Sequence, residues 1–145
     1  MRRATQLVAD IDAVLPFYRD LLGLRVLYDQ IGTNPAQLRL FGVGAEKSRL
    51  VALESTGTDV QGGLIGLLQV WPAPDVDFGA ANRVALLFLT DDARALYARL
   101  QAADVAMLSD IESYEAARSE GTTLAFTVVD PAGTRISFAQ LNAAP

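Results

Sequence analysis

The sequence predicts an α+β fold made of two successive modules, each consisting of a strand, a helix and three further strands. Two observations support this prediction. The same order of elements occurs twice, about 80 residues apart, although few residues are identical between the halves. The strands also follow one another in runs, whereas the strands of a doubly wound α/β sheet alternate with helices. We therefore predict a single domain over residues 1–145, with modules at about 1–63 and 82–145.

The first module begins with a strand and a capped helix. Residues 1–9 are predicted to form the strand, and Asp10 and Asp12 offer carboxylates for the N-terminus of the helix. Apolar residues then recur at helical spacing up to Gly23, which stands where a helix C-cap belongs. Turn residues separate the three strands that are predicted to complete the module: 24–30, 37–43 and 49–54.

The connection between the modules is predicted to span about residues 64–81. Residues 64–71 form a continuous apolar run, which we interpret as an additional strand within this connection. Pro72 and Pro74 then break the chain. We therefore assign this segment to neither module.

The second module repeats the order of the first. Residues 83–89 are predicted to form a strand, and the Thr-Asp-Asp sequence that ends at Asp92 is predicted to cap a helix. The polar segment 109–121 is predicted to be a loop or a short turn. A turn with proline at its second position and Gly133 at its end joins the last two strands. The strands that complete the module are predicted at 105–108, 122–129 and 134–141.

The composition excludes several classes of protein. The chain contains no histidine and no cysteine, so imidazole and thiolate metal ligands, disulfides and thiol catalysis are excluded. A formal net charge of −5 disfavours nucleic acid as a partner, because nucleic acids bind to basic surfaces. No apolar run approaches the roughly 20 residues that span a membrane, and no signal peptide is recognisable. We therefore expect no membrane partner and a cytoplasmic location.

Two segments resemble the opening and closing sequence motifs of the vicinal oxygen chelate superfamily. They are DIDAVLPFYRDLLGL at residues 10–24 and DPAGTRI at residues 130–136. The superfamily includes glyoxalase I, extradiol dioxygenases, fosfomycin-resistance transferases and bleomycin-resistance proteins. The resemblance covers essentially the whole chain. It implies that eight strands form an incomplete barrel around a cleft, with the helices outside, and that the protein is a homodimer.

The resemblance also implies where a metal ion would bind, because metal-using members place one ligand on the first and last strand of each module. In this chain those positions correspond to Arg3, Ala85, Ser137 and either Ala52 or Glu54. At best one of the four keeps a side chain that binds metal ions, and a single carboxylate cannot hold a catalytic divalent ion tightly. We therefore expect neither a metal ion nor another cofactor.

The resemblance and the alternation of side chains along strands together predict the lining of the cleft. Arg3 and Arg135 are candidate ligand-binding groups, because a guanidinium suits carboxylate, phosphate or enolate oxygens. The alternative for each is an arginine at a strand end that points to solvent or forms an ion pair. Trp71 is a candidate for stacking on a planar ligand, or it closes the end of the core. The predicted lining comprises alternate residues of three strands: Arg3, Thr5, Leu7, Ala85, Leu87, Leu89, Arg135, Ser137 and Ala139.

Three functions are compatible with this sequence. The first is metal-independent binding of a small apolar or aromatic metabolite or antibiotic in the cleft, as in bleomycin-resistance proteins. The second is a metal-free isomerase, cyclase or lyase in which Glu54 moves a proton and Arg3 or Arg135 holds the developing oxyanion. The third is a partner-binding module with a vestigial cleft that dimerises through residues 64–71. Binding ranks first, and whether the chain is an enzyme stays open.

Overall fold

The computed structural model describes residues 4–35, 38, 44–55, 59–61, 63–75, 85–115 and 122–143. The first half contains, in chain order, β1 (Ala4–Leu7), α1 (Ile11–Pro16), a π-helical turn (Phe17–Leu21), β2 (Arg25–Gly32), β3 (Lys47–Glu54), β4 (Val60–Gln61) and β5 (Leu64–Trp71). The second half contains β6 (Ala85–Thr90), α2 (Ala93–Ala102), β7 (Ala106–Met107), β8 (Glu112–Glu115), β9 (Thr122–Val129) and β10 (Arg135–Ala143). None of the described helices is long and apolar enough to cross a membrane.

The strands form two mixed sheets, each built mainly from one half of the chain. The first sheet has the order β1–β5–β3–β2, and the second has the order β4–β6–β10–β9–β7, with β8 also paired to β9. In each sheet one pair is parallel, β1 with β5 and β6 with β10, and the other long neighbours are antiparallel. The α+β class and the repeated topology are thereby confirmed. Neither sheet closes into a barrel within the described residues.

The apolar segment Leu64–Trp71 corrects one expectation, because it is an interior strand of the first sheet and not an addition within the connection. It lies between β1 and β3 and pairs with both. Ile65 and Leu67 on one face and Leu68 and Val70 on the other are all buried. Burial on both faces explains the continuous apolar run, and such a run does not reveal which strands flank it.

One further segment differs from the prediction, and another can be compared with it only at a single residue. The strand expected at 37–43 lies outside the described residues except for Leu38, whose N–H donates to the carbonyl of Asn34 at 3.0 Å. That bond joins residues four apart, as in an α-helix and not in a strand. The loop expected at 109–121 contains β8, which pairs with β9 although its own residues are mostly polar. Pairing with a neighbour outweighs strand propensity at such an edge.

Both helices begin where the sequence predicted. The Asp10 carboxylate accepts a hydrogen bond from the N–H of Asp12 at 2.9 Å, and the Asp92 carboxylate accepts one from the N–H of Ala95 at 2.9 Å. Pro16 ends the α-helical part of the first helix. It has no N–H to continue the hydrogen-bond ladder, and the chain passes into the wider π-helical turn.

The hydrophobic core lies between the helices and one face of each sheet. A single cluster of buried side chains includes Val14 of α1, Leu96 of α2, Leu53 of the first sheet, and Phe126 and Phe138 of the second. The two modules therefore share one core on their helix sides. The opposite face of the second sheet carries exposed side chains, such as Leu87 and Leu89.

A buried polar network also joins the modules. The Tyr18 hydroxyl donates to the Asp130 carboxylate at 2.8 Å and accepts from the Gln6 amide at 2.6 Å. The other carboxylate oxygen of Asp130 accepts from the N–H groups of Ala132 and Thr134. Burial raises the pKa of the Asp130 carboxyl, although these donors act in the opposite direction. The turn after β9 is thus held against the π-helical turn that follows α1.

Candidate functional site

The face of the second sheet that points away from the core forms an open cavity of about 480 Å³. Its side chains alternate with core residues along each strand. Leu87 precedes the buried Phe88 on β6, and Ser137 and Ala139 flank the buried Phe138 on β10. Because successive side chains of a strand point to opposite faces, the core positions fix which residues line the cavity. Its volume suits a small-molecule site.

The wall of this cavity is mostly apolar and unusually exposed. Leu87 is 61% exposed, Leu141 46% and Leu89 38%. Between them, Ala125 of β9 and Ala139 of β10 lie opposite each other and form a flat floor. Exposed leucines grouped around a concavity favour a site that an apolar molecule or surface covers.

A pair of hydroxyls stands on the same floor. The oxygens of Thr127 and Ser137 are 2.9 Å apart, so one hydroxyl donates to the other. Ser109 supports the pair, because its hydroxyl oxygen accepts the N–H of Thr127 at 3.1 Å. A hydroxyl carries one hydrogen and two lone pairs, so the pair keeps a hydrogen and lone pairs for a ligand. The site therefore offers hydrogen bonds without a formal charge at its centre.

The charge at the cavity comes from β8. Glu112 lines the cavity and is exposed, and the register places it opposite Ala125. Arg135 is also exposed, but it does not line this cavity. A carboxylate at the edge repels anions, so the cavity favours uncharged or cationic molecules over carboxylates and phosphates.

The predicted site residues fall in different places. Leu87 and Ser137 line the cavity, and the register pairs them directly. Arg135 stands opposite Ala85, two positions further along the same strand pair. Thr5 lies in the first sheet and does not line the cavity.

Trp71 and Glu54 also belong to the first sheet. The half-buried Trp71 ends β5, and the ammonium of Lys47 lies 4.9 Å from its ring centre, so its ring face already carries a cation. The Glu54 carboxylate ends β3 and accepts a hydrogen bond and ion pair from Arg25. Arg3 lies outside the described residues. Glu54 and Arg135 are therefore on different sheets, and neither lines the cavity.

The register also corrects one implied metal position. The last strand of the first module is β5, not β3, so Ala52 and Glu54 are on the wrong strand. The parallel pair β1–β5 of the first sheet corresponds to the parallel pair β6–β10 of the second. Thr5 pairs with Gly66 in the first, and Leu87 pairs with Ser137 in the second, so Gly66 is the counterpart of Ser137. Glycine has no side-chain ligand. In the described part of the chain, no three acidic, histidine or cysteine side chains come together to hold a metal ion. The side chains at these positions do not fit a divalent ion.

Sequence reasoning missed the contribution of β9 and β8 to the cavity. Thr123, Thr127 and Glu112 line it, but none was a candidate. The alternation along β9 carried a signal for two of them, because both threonines share one parity and the buried Phe126 has the other. Glu112 had no such signal, since its strand was expected to be a loop.

Comparison with known proteins agrees with this fold. Residues 1–138 match the sequence model of the Glyoxalase/Bleomycin resistance protein/Dioxygenase superfamily. A glyoxalase family protein from Bacillus cereus has a TM-score of 0.80 at 15% identity, covering 99% of this chain and 94% of that chain. TnmS3, an antibiotic-binding protein from Streptomyces sp., has a TM-score of 0.61 at 22% identity, covering 97% and 94%. A variant of glyoxalase I from Zea mays has a TM-score of 0.67 at 17% identity, covering 100% and 45%.

The fold and the cavity define a class of protein with paired strand–helix–strand modules and an open, mostly apolar face. The chain belongs to the glyoxalase/bleomycin resistance protein/dioxygenase superfamily. No curated protein is similar enough in sequence to count as a relative. Because the identities to the solved structures are low, those likenesses establish the fold and not an activity.

Proposed function

We propose that this protein binds a small apolar or aromatic molecule, a metabolite or an antibiotic, without a metal ion or another cofactor. The ligand binds on the face of the second sheet that points away from the core, which we call the inner face. The observation that supports this most directly is the open cavity, which three exposed leucines line together with the hydroxyls of Thr127 and Ser137. Apolar walls with a few placed polar groups are the usual composition of a small-molecule site.

Two features favour binding over chemistry. The cavity contains hydroxyls and one exposed carboxylate, but no described side chain in it pairs a nucleophile with a base. One protein of similar fold, TnmS3, is an antibiotic-binding protein. A protein that sequesters a ligand needs affinity for it but no catalytic groups. Burial of the ligand against the apolar wall provides this affinity through the hydrophobic effect.

The proposed assembly is a homodimer in which a second copy of the chain closes the open side of the cavity. A leucine that is 61% exposed inside a concave wall is rarely left uncovered in a stable assembly. Closure by a symmetry-related copy would remove Leu87, Leu89 and Leu141 from water together. The ligand would then be enclosed between two chains.

The alternative function is a metal-free isomerase, cyclase or lyase with Glu54 as the base and Arg3 or Arg135 as the oxyanion holder. The ion pair with Arg25 occupies the carboxylate that would have to accept the proton. Arg135 is on the other sheet. No contact in the described part of the chain favours this alternative over binding.

The test is a titration with the uncharged fluorescent probe N-phenyl-1-naphthylamine in the presence of EDTA. Wild type is expected to bind the probe, and Leu87→Gln is expected to weaken binding about 10-fold by replacing apolar contact area with an amide. Leu108→Gln is the matched control, because Leu108 is 53% exposed but does not line the cavity.

Equal weakening by both variants would show that the probe binds unspecific apolar surface and would contradict the proposal. So would binding that EDTA abolishes and added Mg²⁺, Zn²⁺ or Ni²⁺ restores, since that result requires a metal ion.

A further inference from the structure

We propose that Thr123 determines which molecules the cavity accepts, by donating a hydrogen bond to an oxygen acceptor of the ligand. This inference rests on the proposed function and adds the class of ligand. Thr123 lines the cavity from β9 and is only 1% exposed. Its hydroxyl oxygen is buried and has no hydrogen-bond partner among the described residues.

The missing partner is informative because buried polar groups are almost always paired. Folding takes the Thr123 hydroxyl away from water, and no described residue of the free protein replaces the lost hydrogen bond. A valine would fill the same space without that loss. Thr127, the other threonine on this face of β9, is paired with Ser137 at 2.9 Å. Of the two, Thr123 has the hydroxyl that gains most from a ligand.

A local irregularity lies directly opposite this residue. The regular pairing of β10 with β9 ends at Gln140 opposite Leu124 and resumes at Ala143 opposite Thr122. Leu141 falls within this bulge, lines the cavity and is 46% exposed. Bulges occur preferentially beside functional sites, where they redirect side chains.

The position of Leu141 explains how a ligand reaches a buried hydroxyl. The oxygen of Thr123 is closed to solvent, so a molecule has to displace a neighbouring side chain to touch it. Leu141 lies opposite Thr123 in the bulge, and solvent instead of packing surrounds nearly half of its side chain. When the ligand enters, its own apolar surface takes the place of the Leu141 side chain beside Thr123.

The surroundings define the chemistry of the ligand. Thr123 and Thr127 are four residues apart on one strand, about 13 Å, and Ala125 lies between them on the floor. Glu112 lines the same cavity and repels carboxylates. The expected ligand is therefore an uncharged, flat, mostly apolar molecule that carries a ketone or ether oxygen at one end.

The experiment compares two probes of nearly equal shape, 2-acetylnaphthalene and 2-isopropenylnaphthalene, which differ in a carbonyl oxygen against a methylene group. Their affinities are measured by calorimetry for wild type, Thr123→Val and Thr122→Val. Thr122 is the matched control, because it neighbours Thr123 but does not line the cavity.

Thr123→Val is expected to weaken binding of the ketone about 5-fold and to leave the alkene unchanged. It is also expected to raise the Tm of the free protein by about 3 °C, because an unpaired buried hydroxyl is removed. Thr122→Val is expected to change neither affinity.

Three outcomes would overturn the inference: an unchanged ketone affinity in Thr123→Val, an equal loss for both probes, or a lower Tm of the free variant. The first two leave the proposed binding function intact as long as wild type binds the probes. Failure of wild type to bind either probe would instead count against the proposed function itself.

Discussion

The hydrogen bonds of the Tyr18 hydroxyl are predicted to make one of the largest single contributions to the free energy of unfolding of this protein. Tyr18→Phe removes this oxygen and keeps the ring, which packs edge-to-face on Phe17 with ring centres 5.0 Å apart. The substitution therefore tests the hydrogen bonds and not the packing. It takes a donor from Asp130 and an acceptor from Gln6.

The size of the effect follows from the environment of Asp130. This residue is only 3% exposed, and its carboxylate loses one of three donors, keeping the N–H groups of Ala132 and Thr134. A hydrogen bond to a charged group contributes about 1.5–3 kcal/mol, so Tyr18→Phe is expected to lower the free energy of unfolding by about 2 kcal/mol. For a chain of this length that loss corresponds to a fall in Tm of about 6 °C.

Urea denaturation at neutral pH measures this effect, and Tyr97→Phe is its matched control. The Tyr97 hydroxyl also donates to an aspartate, Asp110, at 3.1 Å, and its ring also packs edge-to-face on a phenylalanine. That hydrogen bond is exposed, so Tyr97→Phe is expected to cost under about 0.5 kcal/mol. Equal losses for the two variants would refute the reasoning, because burial would then not govern the contribution.

Two further predictions concern charged groups. Because burial raises the pKa of Asp130, the folded state holds this proton to higher pH than the unfolded state, and stability falls as the pH rises from about 4 through the folded pKa. Asp130→Asn should not show this fall in the free energy of unfolding, measured by denaturation from pH 4 to 7. Equal pH dependence of wild type and variant would contradict the prediction. Arg49→Met should cost about 1 kcal/mol at low salt and less at high salt, because Arg49 bridges the partly exposed carboxylates of Asp12 and Asp29. The hydrogen bond from Arg49 lowers the pKa of Asp29, so this loss should shrink as the pH falls below about 4, and a pH-independent loss would argue against the bridge.

Local features of the fold could be predicted from the sequence because they depend on neighbours in the chain. Asp10 and Asp92 cap helices through hydrogen bonds to residues two and three positions away. The turn after β9 was recognisable from its proline and glycine in the same way, and its Gly133 has a φ of 85°, a conformation that glycine adopts freely.

Strand order could not be predicted, because it depends on pairing between distant segments. The apolar pattern of β5 gave no indication that β1 and β3 flank it. Counting along the chain therefore led to Ala52 or Glu54, whereas the parallel register leads to Gly66. A shift of one strand changed the interpretation of Glu54 from a candidate base in the cleft to the partner of Arg25.

The site itself was predicted only in part. Leu87 and Ser137, predicted from alternation along their strands, line the cavity, and their role in binding stays a prediction. The pairing of Ser137 with Thr127 arises from the register of β9 against β10, and the contribution of Glu112 arises from an edge strand that propensity does not indicate.

Amide NMR spectra of the labelled protein, recorded during titration with 2-acetylnaphthalene in EDTA, test the central proposal most directly. Binding to the inner face of the second sheet predicts that the largest shift changes fall on Leu87, Thr127 and Ser137, which line the cavity. Glu54 and its neighbours on β3 are predicted to stay unchanged. Changes centred on Glu54, or no changes at millimolar ligand, would contradict the account.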